Sequence, residues 1–163
     1  MWSTASSEAR RPRALRAICS AALAGLPITA LLAGCATGPA FVAPEPPQPY
    51  RAAVYVYRTQ DVLGAGVRHE DWFQAKPVGK MVNGGYMRFD AIPGVIWVSA
   101  PDCRPASIDV VLRPETIGYV QLELVNKTVE FGGKYYFDYG CRLVQRSEAE
   151  AVTALPGLRK VTD

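Results

Sequence analysis

The sequence predicts a mainly β protein, a small antiparallel β-sandwich with one short helix near the C-terminus. Two observations predict this fold: apolar and polar residues alternate in short segments, and Gly or Pro pairs separate those segments. Period-2 alternation is typical of strands that bury one face. Several short strands at this spacing favour a sandwich over a parallel α/β sheet.

The first predicted strand is 53–58, in which Val54 and Val56 face one side and Tyr55 and Tyr57 the other. The same patterning predicts seven more strands: 78–82, 85–90, 95–100, 108–113, 120–124, 127–131 and 134–139. Three turn signals punctuate them: Gly84-Gly85, Pro93-Gly94 and Gly132-Gly133.

One helix is predicted over 147–155. Ser147 and Glu150 fit a capping box, in which the serine oxygen accepts from the backbone of Glu150 and the glutamate reaches back. Pro156-Gly157 would end the helix. We expect the helix to cover an edge or an open end of the sheet, where unpaired strand groups invite aggregation.

Residues 1–34 are predicted to be a lipoprotein signal peptide, because a positive segment precedes a largely apolar one. Leu32-Ala33-Gly34-Cys35 resembles the lipobox of bacterial lipoprotein precursors, which implies cleavage before Cys35 and diacylglycerol, such as palmitate chains, on its sulfur. Ala36 follows where inner-membrane lipoproteins often carry Asp, which favours the outer membrane, facing the periplasm. An uncleaved anchor and ordinary secretion are the alternatives.

The net charge of +3 belongs to the predicted leader. Four of the 18 basic and one of the 15 acidic residues lie within 1–34, which leaves 14 of each in 35–163. A neutral mature chain lacks the clustered Lys and Arg that nucleic-acid binding requires. Nucleic acid is therefore excluded as a partner.

Two cysteines remain once Cys19 is assigned to the leader and Cys35 to the lipid. Because oxidising compartments form and keep disulfides, we predict a bond between Cys103 and Cys141. Two separate buried thiols are the alternative. A nucleophilic cysteine lacks a partner, since His69 is the only histidine and nothing in the sequence places it near a thiol.

The chain is thus predicted to comprise a signal peptide (1–34), a lipidated cysteine with a proline-rich tether (35–50) and a β domain (51–163). Five prolines in the tether favour an extended, semi-stiff spacer that rises about 3.1 Å per residue.

Four segments in order carry a family resemblance: AVYVYR (53–58), VGKMVNGGYMRFDAIPG (78–94), GGKYYFDY (132–139) and an acidic, Ala-rich stretch at 147–155. This arrangement resembles domain-of-unknown-function family 2846, small bacterial lipoprotein domains. The resemblance implies an Ig-like or transthyretin-like sandwich and no established activity. The chain departs from the pattern at 73–77 and in the stretch 105–131.

No catalytic, cofactor or metal site is predicted. His69-Glu70-Asp71 is the densest polar cluster, and we interpret it as a solvated loop because consecutive strand residues cannot converge on a metal. Gly64-Ala65-Gly66 lacks the context of a dinucleotide site. Tyr55, Tyr57 and Tyr136 are interpreted as core residues, with an exposed binding surface as the alternative.

These observations predict a non-enzymatic, lipid-anchored module of the cell envelope that interacts with the membrane through its lipid and with an unidentified envelope protein. A small-ligand or glycan-binding domain is the alternative function. An envelope enzyme is a third class, disfavoured because no group is placed for acid–base or nucleophilic work.

Overall fold

The computed structural model describes residues 36–62 and 64–162. The predicted signal peptide and Cys35 lie outside the described residues. Nine strands and one helix are present in that part of the chain: β1 (Ala52–Tyr57), β2 (His69–Phe73), β3 (Lys76–Met81), β4 (Gly85–Ala91), β5 (Gly94–Ser99), β6 (Ser107–Leu112), β7 (Ile117–Phe131), β8 (Lys134–Arg146), α1 (Glu148–Ala154) and β9 (Arg159–Lys160). No helix among the described residues has the length and apolarity needed to cross a membrane.

The strands form the predicted β-sandwich of two sheets. One sheet has the order β8-β7-β1-β4-β9 and the other β3-β2-β5-β6. The larger sheet is mixed, because β1 runs parallel to β7 and β4 parallel to β9. After β6 the chain returns from the smaller sheet to the end of the larger sheet at which β1 begins. Ala53 therefore lies opposite Ile117, and each residue is near the start of its strand.

The main core lies between the sheets and follows the predicted alternation. Val54 and Val56 of β1 are at most 1% exposed and belong to the same buried cluster as Ile96, Val98 and Val110 from the opposite sheet. Burying aliphatic side chains on both inner faces removes apolar area from water, which is the main stabilising contribution in a sandwich.

A second apolar layer covers the outer face of the larger sheet. Tyr55, Tyr57 and Tyr119 cluster there with Ala151 of α1 and with Leu155, so β1 is buried on both faces. The predicted capping box of Ser147 and Glu150 is present. The expected position of the helix is wrong: α1 covers a sheet face rather than an edge, because Ala151 and Leu155, four residues apart, present one apolar stripe to the tyrosines.

The predicted strands 120–124 and 127–131 are one continuous strand, β7, which pairs with β8 from Tyr119 to Phe131. Neither Gly nor Pro interrupts the chain between them, so no turn forms. Pairing of β7 with β1 ends at Gln121, and the hairpin continues beyond it to Phe131. The side chains of Lys127, Val129 and residues 135–139 are outside the described set, and so is the predicted orientation of Tyr136.

The tether also differs from expectation. Residues 36–41 lie against the domain instead of forming a free spacer: Phe41 donates its backbone N–H to Leu158 O at 2.8 Å, and Ala40 forms a bridge with Arg159. Proline-rich chain is extended, and an extended chain can pair with an edge strand wherever a free N–H is available.

Candidate functional site

The polar cluster His69-Glu70-Asp71 lies on strand β2, not in a solvated loop as the sequence suggested. His69 and Asp71 point into the sandwich and are 4% and 1% exposed, whereas Glu70 points outward. The alternation of a strand is present, but with polar residues on the buried face. Patterning based on hydrophobicity cannot detect such a strand.

The structure contains the predicted disulfide between Cys103 and Cys141, whose Cα atoms are 4.5 Å apart. It also places His69 against it, with Nδ1 3.5 Å from Cys141 Sγ and 4.0 Å from Asp102 Oδ2. His69 and Cys141 are 72 residues apart in the chain and belong to opposite sheets. Sequence spacing held no signal for this contact.

Arg58 supplies a positive charge to the same interior. It ends the AVYVYR segment, and the residue is 1% exposed. Nη1 donates to Val67 O and Nη2 to Gly64 O, each at 2.6 Å. Gly64 has a positive φ of 74°, which glycine adopts without strain. Arg58 therefore fastens the loop that leads into β2.

Burial controls the protonation of His69. Loss of hydration lowers the pKa of His69, the nearby Arg58 lowers it further, and Asp102 opposes both. Because the ordinary pKa of histidine is 6.5, His69 is neutral at pH 7. Its Nε2 atom is buried without a hydrogen-bond partner in the described part of the chain.

Asp71 is the most perturbed group of the cluster. Burial raises its pKa from 3.8 to about 7, because the charged carboxylate loses its hydration. Within residues 36–62 and 64–162, neither carboxylate oxygen has a hydrogen-bond partner. A carboxyl group in such surroundings favours the protonated, neutral form.

The cluster has little capacity for catalysis or metal binding in the disulfide form. One ring nitrogen of His69 and the two sulfurs lie within 4.8 Å of one another, but both sulfurs are bonded to each other. Tetrahedral zinc sites take four ligands, of which His69 alone would remain from this group. The imidazole is also buried, with 4% of His69 exposed.

The tyrosines of β1 are core residues. Tyr55 and Tyr57 are 1% and 0% exposed, and Tyr55 stacks on Tyr119 with ring centroids 5.9 Å apart. The core interpretation is therefore confirmed for these two residues. The exposed-surface alternative does not hold for them.

Two surface features were missed by the sequence analysis. The outer face of the smaller sheet exposes Val95, Trp97 and Val111, which are 59%, 57% and 70% accessible. A groove of about 380 Å³ lies at the β4–β9 end of the sandwich. It is lined by Ala36, Thr37, Gln60, Asn83, Gly84, Gly157 and Arg159. The run Val95-Ile96-Trp97-Val98 is apolar on both faces and could have indicated the first feature.

Comparison with known proteins adds no relative: no family model matches the chain, and no curated protein or solved structure is significantly similar to it. The resemblance to domain-of-unknown-function family 2846 stays a prediction.

Proposed function

We propose that this protein is a non-enzymatic lipoprotein of the cell envelope, anchored through Cys35, that binds another envelope protein through the outer face of its smaller sheet. The observation that carries the proposal is the exposed apolar group formed by Val95, Trp97 and Val111. Val95 and Val111 are direct cross-strand partners, and Trp97 lies opposite Asp109. Here these four residues are called the Trp97 face.

Apolar side chains that stay exposed together on one sheet face are a marker of protein contact. Tryptophan is enriched at interfaces because it offers a large apolar area with one polar tip. The neighbouring Trp72 is half-buried on the same sheet, and the face has no covering element among the described residues. The outer face of the larger sheet, by contrast, carries Tyr55, Tyr57 and Tyr119, here called the tyrosine layer, and α1 covers it.

The lipobox around Cys35 and the disulfide support the envelope location. A disulfide persists in an exported protein and is rare in a reducing compartment. The groups of the cluster around His69 are buried, so their protonation affects the stability of the folded state. This supports a role without catalysis.

The partner surface is tested by placing a photo-cross-linking amino acid at Trp97 or Val111 in cells that make the lipidated protein. Position Gln145, exposed on the other sheet, is the matched control. We expect the same discrete envelope protein to be captured from both positions of the Trp97 face and not from Gln145. Identical background capture from all three positions would contradict the proposed surface.

The anchor is tested separately with Cys35→Ser. We expect this variant to accumulate as an unprocessed precursor that incorporates no labelled palmitate. Normal processing of the variant would refute lipidation at this residue, whatever the outcome of cross-linking.

Glycan binding is the second candidate, and the pairing of Trp97 with Asp109 favours it. An exposed indole can stack on a sugar ring, while a carboxylate accepts hydrogen bonds from sugar hydroxyls. Retention of the protein on cell-wall polysaccharide that is lost in Trp97→Ala, together with no protein capture, would support this function instead.

A further inference from the structure

The segment that follows Cys35 adds to the larger sheet as an extra edge. Gly38 donates its N–H to Lys160 O at 3.1 Å, and Lys160 donates back to Pro39 O at 2.8 Å. Together with the Phe41–Leu158 bond at 2.8 Å, these bonds hold residues 36–41 along β9. Here this stretch is called the docked segment.

Side chains fasten the docked segment to the tyrosine layer. The ring of Phe41 meets Tyr55 and Tyr86 edge-on, with centroid distances of 5.8 and 5.4 Å. Further along, the backbone N–H of Glu45 donates to the Tyr55 hydroxyl at 2.9 Å. The contact therefore extends well into the stretch that the sequence predicts to be a spacer.

Gly38 is the residue that the close approach requires. A Cβ atom at this position would lie 2.4 Å from Lys160 O, a backbone atom that cannot rotate away. Any larger residue would separate the docked segment from β9. The pairing is thus specific to this sequence.

The docked segment leaves almost no free chain between the lipid and the domain. Ala36 is 7% exposed and donates its N–H to Asn83 O at 3.3 Å. Cys35 is one peptide bond away, so the two Cα atoms are about 3.8 Å apart. A free extended spacer over 36–50 would instead reach about 46 Å.

The β4–β9 end of the sandwich also carries features that suit a bilayer surface. Arg159 and Lys160 are exposed there, and Arg159 lines the groove beside Ala36. Cationic side chains near a membrane surface are attracted to anionic lipid headgroups.

We infer that the β4–β9 end is a membrane-contact surface, held against phospholipid headgroups by the short anchor, with Arg159 and Lys160 facing the anionic lipids. This inference rests on the proposed lipidation of Cys35. The Trp97 face lies on the other sheet and stays available to a partner.

The test uses the lipidated protein in vesicles of phosphatidylethanolamine and phosphatidylglycerol that contain an energy-transfer acceptor on a headgroup. A donor dye is attached at Gln60→Cys, beside the groove, or at Ile92→Cys, at the opposite end of β4. We expect strong transfer from position 60 and much weaker transfer from position 92. Equal transfer from both positions, with the lipid present on Cys35, overturns the inference.

A glycine pair provides the matched variants. Gly38→Val should release the docked segment and remove the difference between the two dye positions. Gly66→Val should preserve that difference, because a Cβ at Gly66 meets no atom within 4 Å. Mass spectrometry of the N-terminal peptide tests the lipidation of Cys35 separately from the membrane contact. Absence of lipid on Cys35 refutes the proposed function and this inference together, whereas a lipidated protein without the difference refutes only the inference.

Discussion

Replacing Asp71 with Asn should change how the stability of the protein depends on pH. The carboxyl group is buried, and its pKa rises from 3.8 in the unfolded chain to about 7 in the folded one. The folded state therefore binds this proton more tightly than the unfolded state. Its contribution to stability is fully present below about pH 4 and is lost as the pH rises through 7.

The size of the effect follows from the interval between the two pKa values. Each pH unit between 3.8 and 7 corresponds to about 1.4 kcal/mol, so the loss amounts to about 4 kcal/mol by pH 8. Asparagine has nearly the same shape and carries no charge at any pH. Asp71→Asn should therefore raise the free energy of unfolding at pH 8 by a large part of that amount.

His69 contributes with the opposite sign. Because its pKa is lowered on folding, its contribution is present above the unfolded value of 6.5 and is lost as the pH falls through the lower folded value. In the parent protein the two slopes oppose each other below pH 6.5. In Asp71→Asn the slope of His69 remains, so this variant should lose stability on acidification.

Urea denaturation between pH 4.5 and 8, on a form beginning at Ala36 with the disulfide intact, measures these slopes. Asp109→Asn removes an exposed carboxylate from the smaller sheet and serves as the control. Two results would refute the reasoning: an unchanged pH dependence in Asp71→Asn, or a loss of stability at pH 8. Either would mean that Asp71 is ionised at little cost in the folded protein.

Three further variants test the fold. Replacing both Cys103 and Cys141 with Ala opens a loop of sequence separation 38 and should lower the free energy of unfolding by about 4 kcal/mol in the chain-entropy model. Guanidinium denaturation measures this loss, and an unchanged midpoint would contradict the prediction. Tyr55→Ala should cost about 3–5 kcal/mol, because it empties the centre of the tyrosine layer. An unchanged thermal stability of that variant would contradict the contribution of Tyr55 to the core. Ser147→Ala should cost about 1 kcal/mol through loss of the helix cap, measured by thermal unfolding with Thr153→Ala, an exposed helix position, as control.

Features with a local cause were predictable from the sequence. The alternation around Val54 and Val56 requires only that one strand face be apolar, and the cap at Ser147 depends on residues three positions apart. The disulfide was predictable by elimination once export was assumed. Each of these inferences uses neighbours in the chain or a count of residue types.

Features that depend on distant residues were not predictable. Strand β2 carries His69 and Asp71 on its buried face, and the disulfide that His69 contacts comes from distant parts of the chain. The docked segment was predicted to be part of a spacer, because proline-rich composition indicates an extended chain. Composition does not show which surface that chain lies against. Phe41 was the available clue, as an aromatic side chain in a stretch otherwise poor in groups to bury.

The segment that follows Cys35 and the core of this protein are physically connected through the tyrosine layer. Tyr55 is buried because α1 covers one part of its sheet face and Phe41 another. Detaching the docked segment would remove the ring of Phe41 and expose the rings of Tyr55 and Tyr86 to water. The docked segment is therefore part of the folded domain. A force applied at the proposed lipidation site would act directly on the larger sheet, because residues 36–41 are hydrogen-bonded to it.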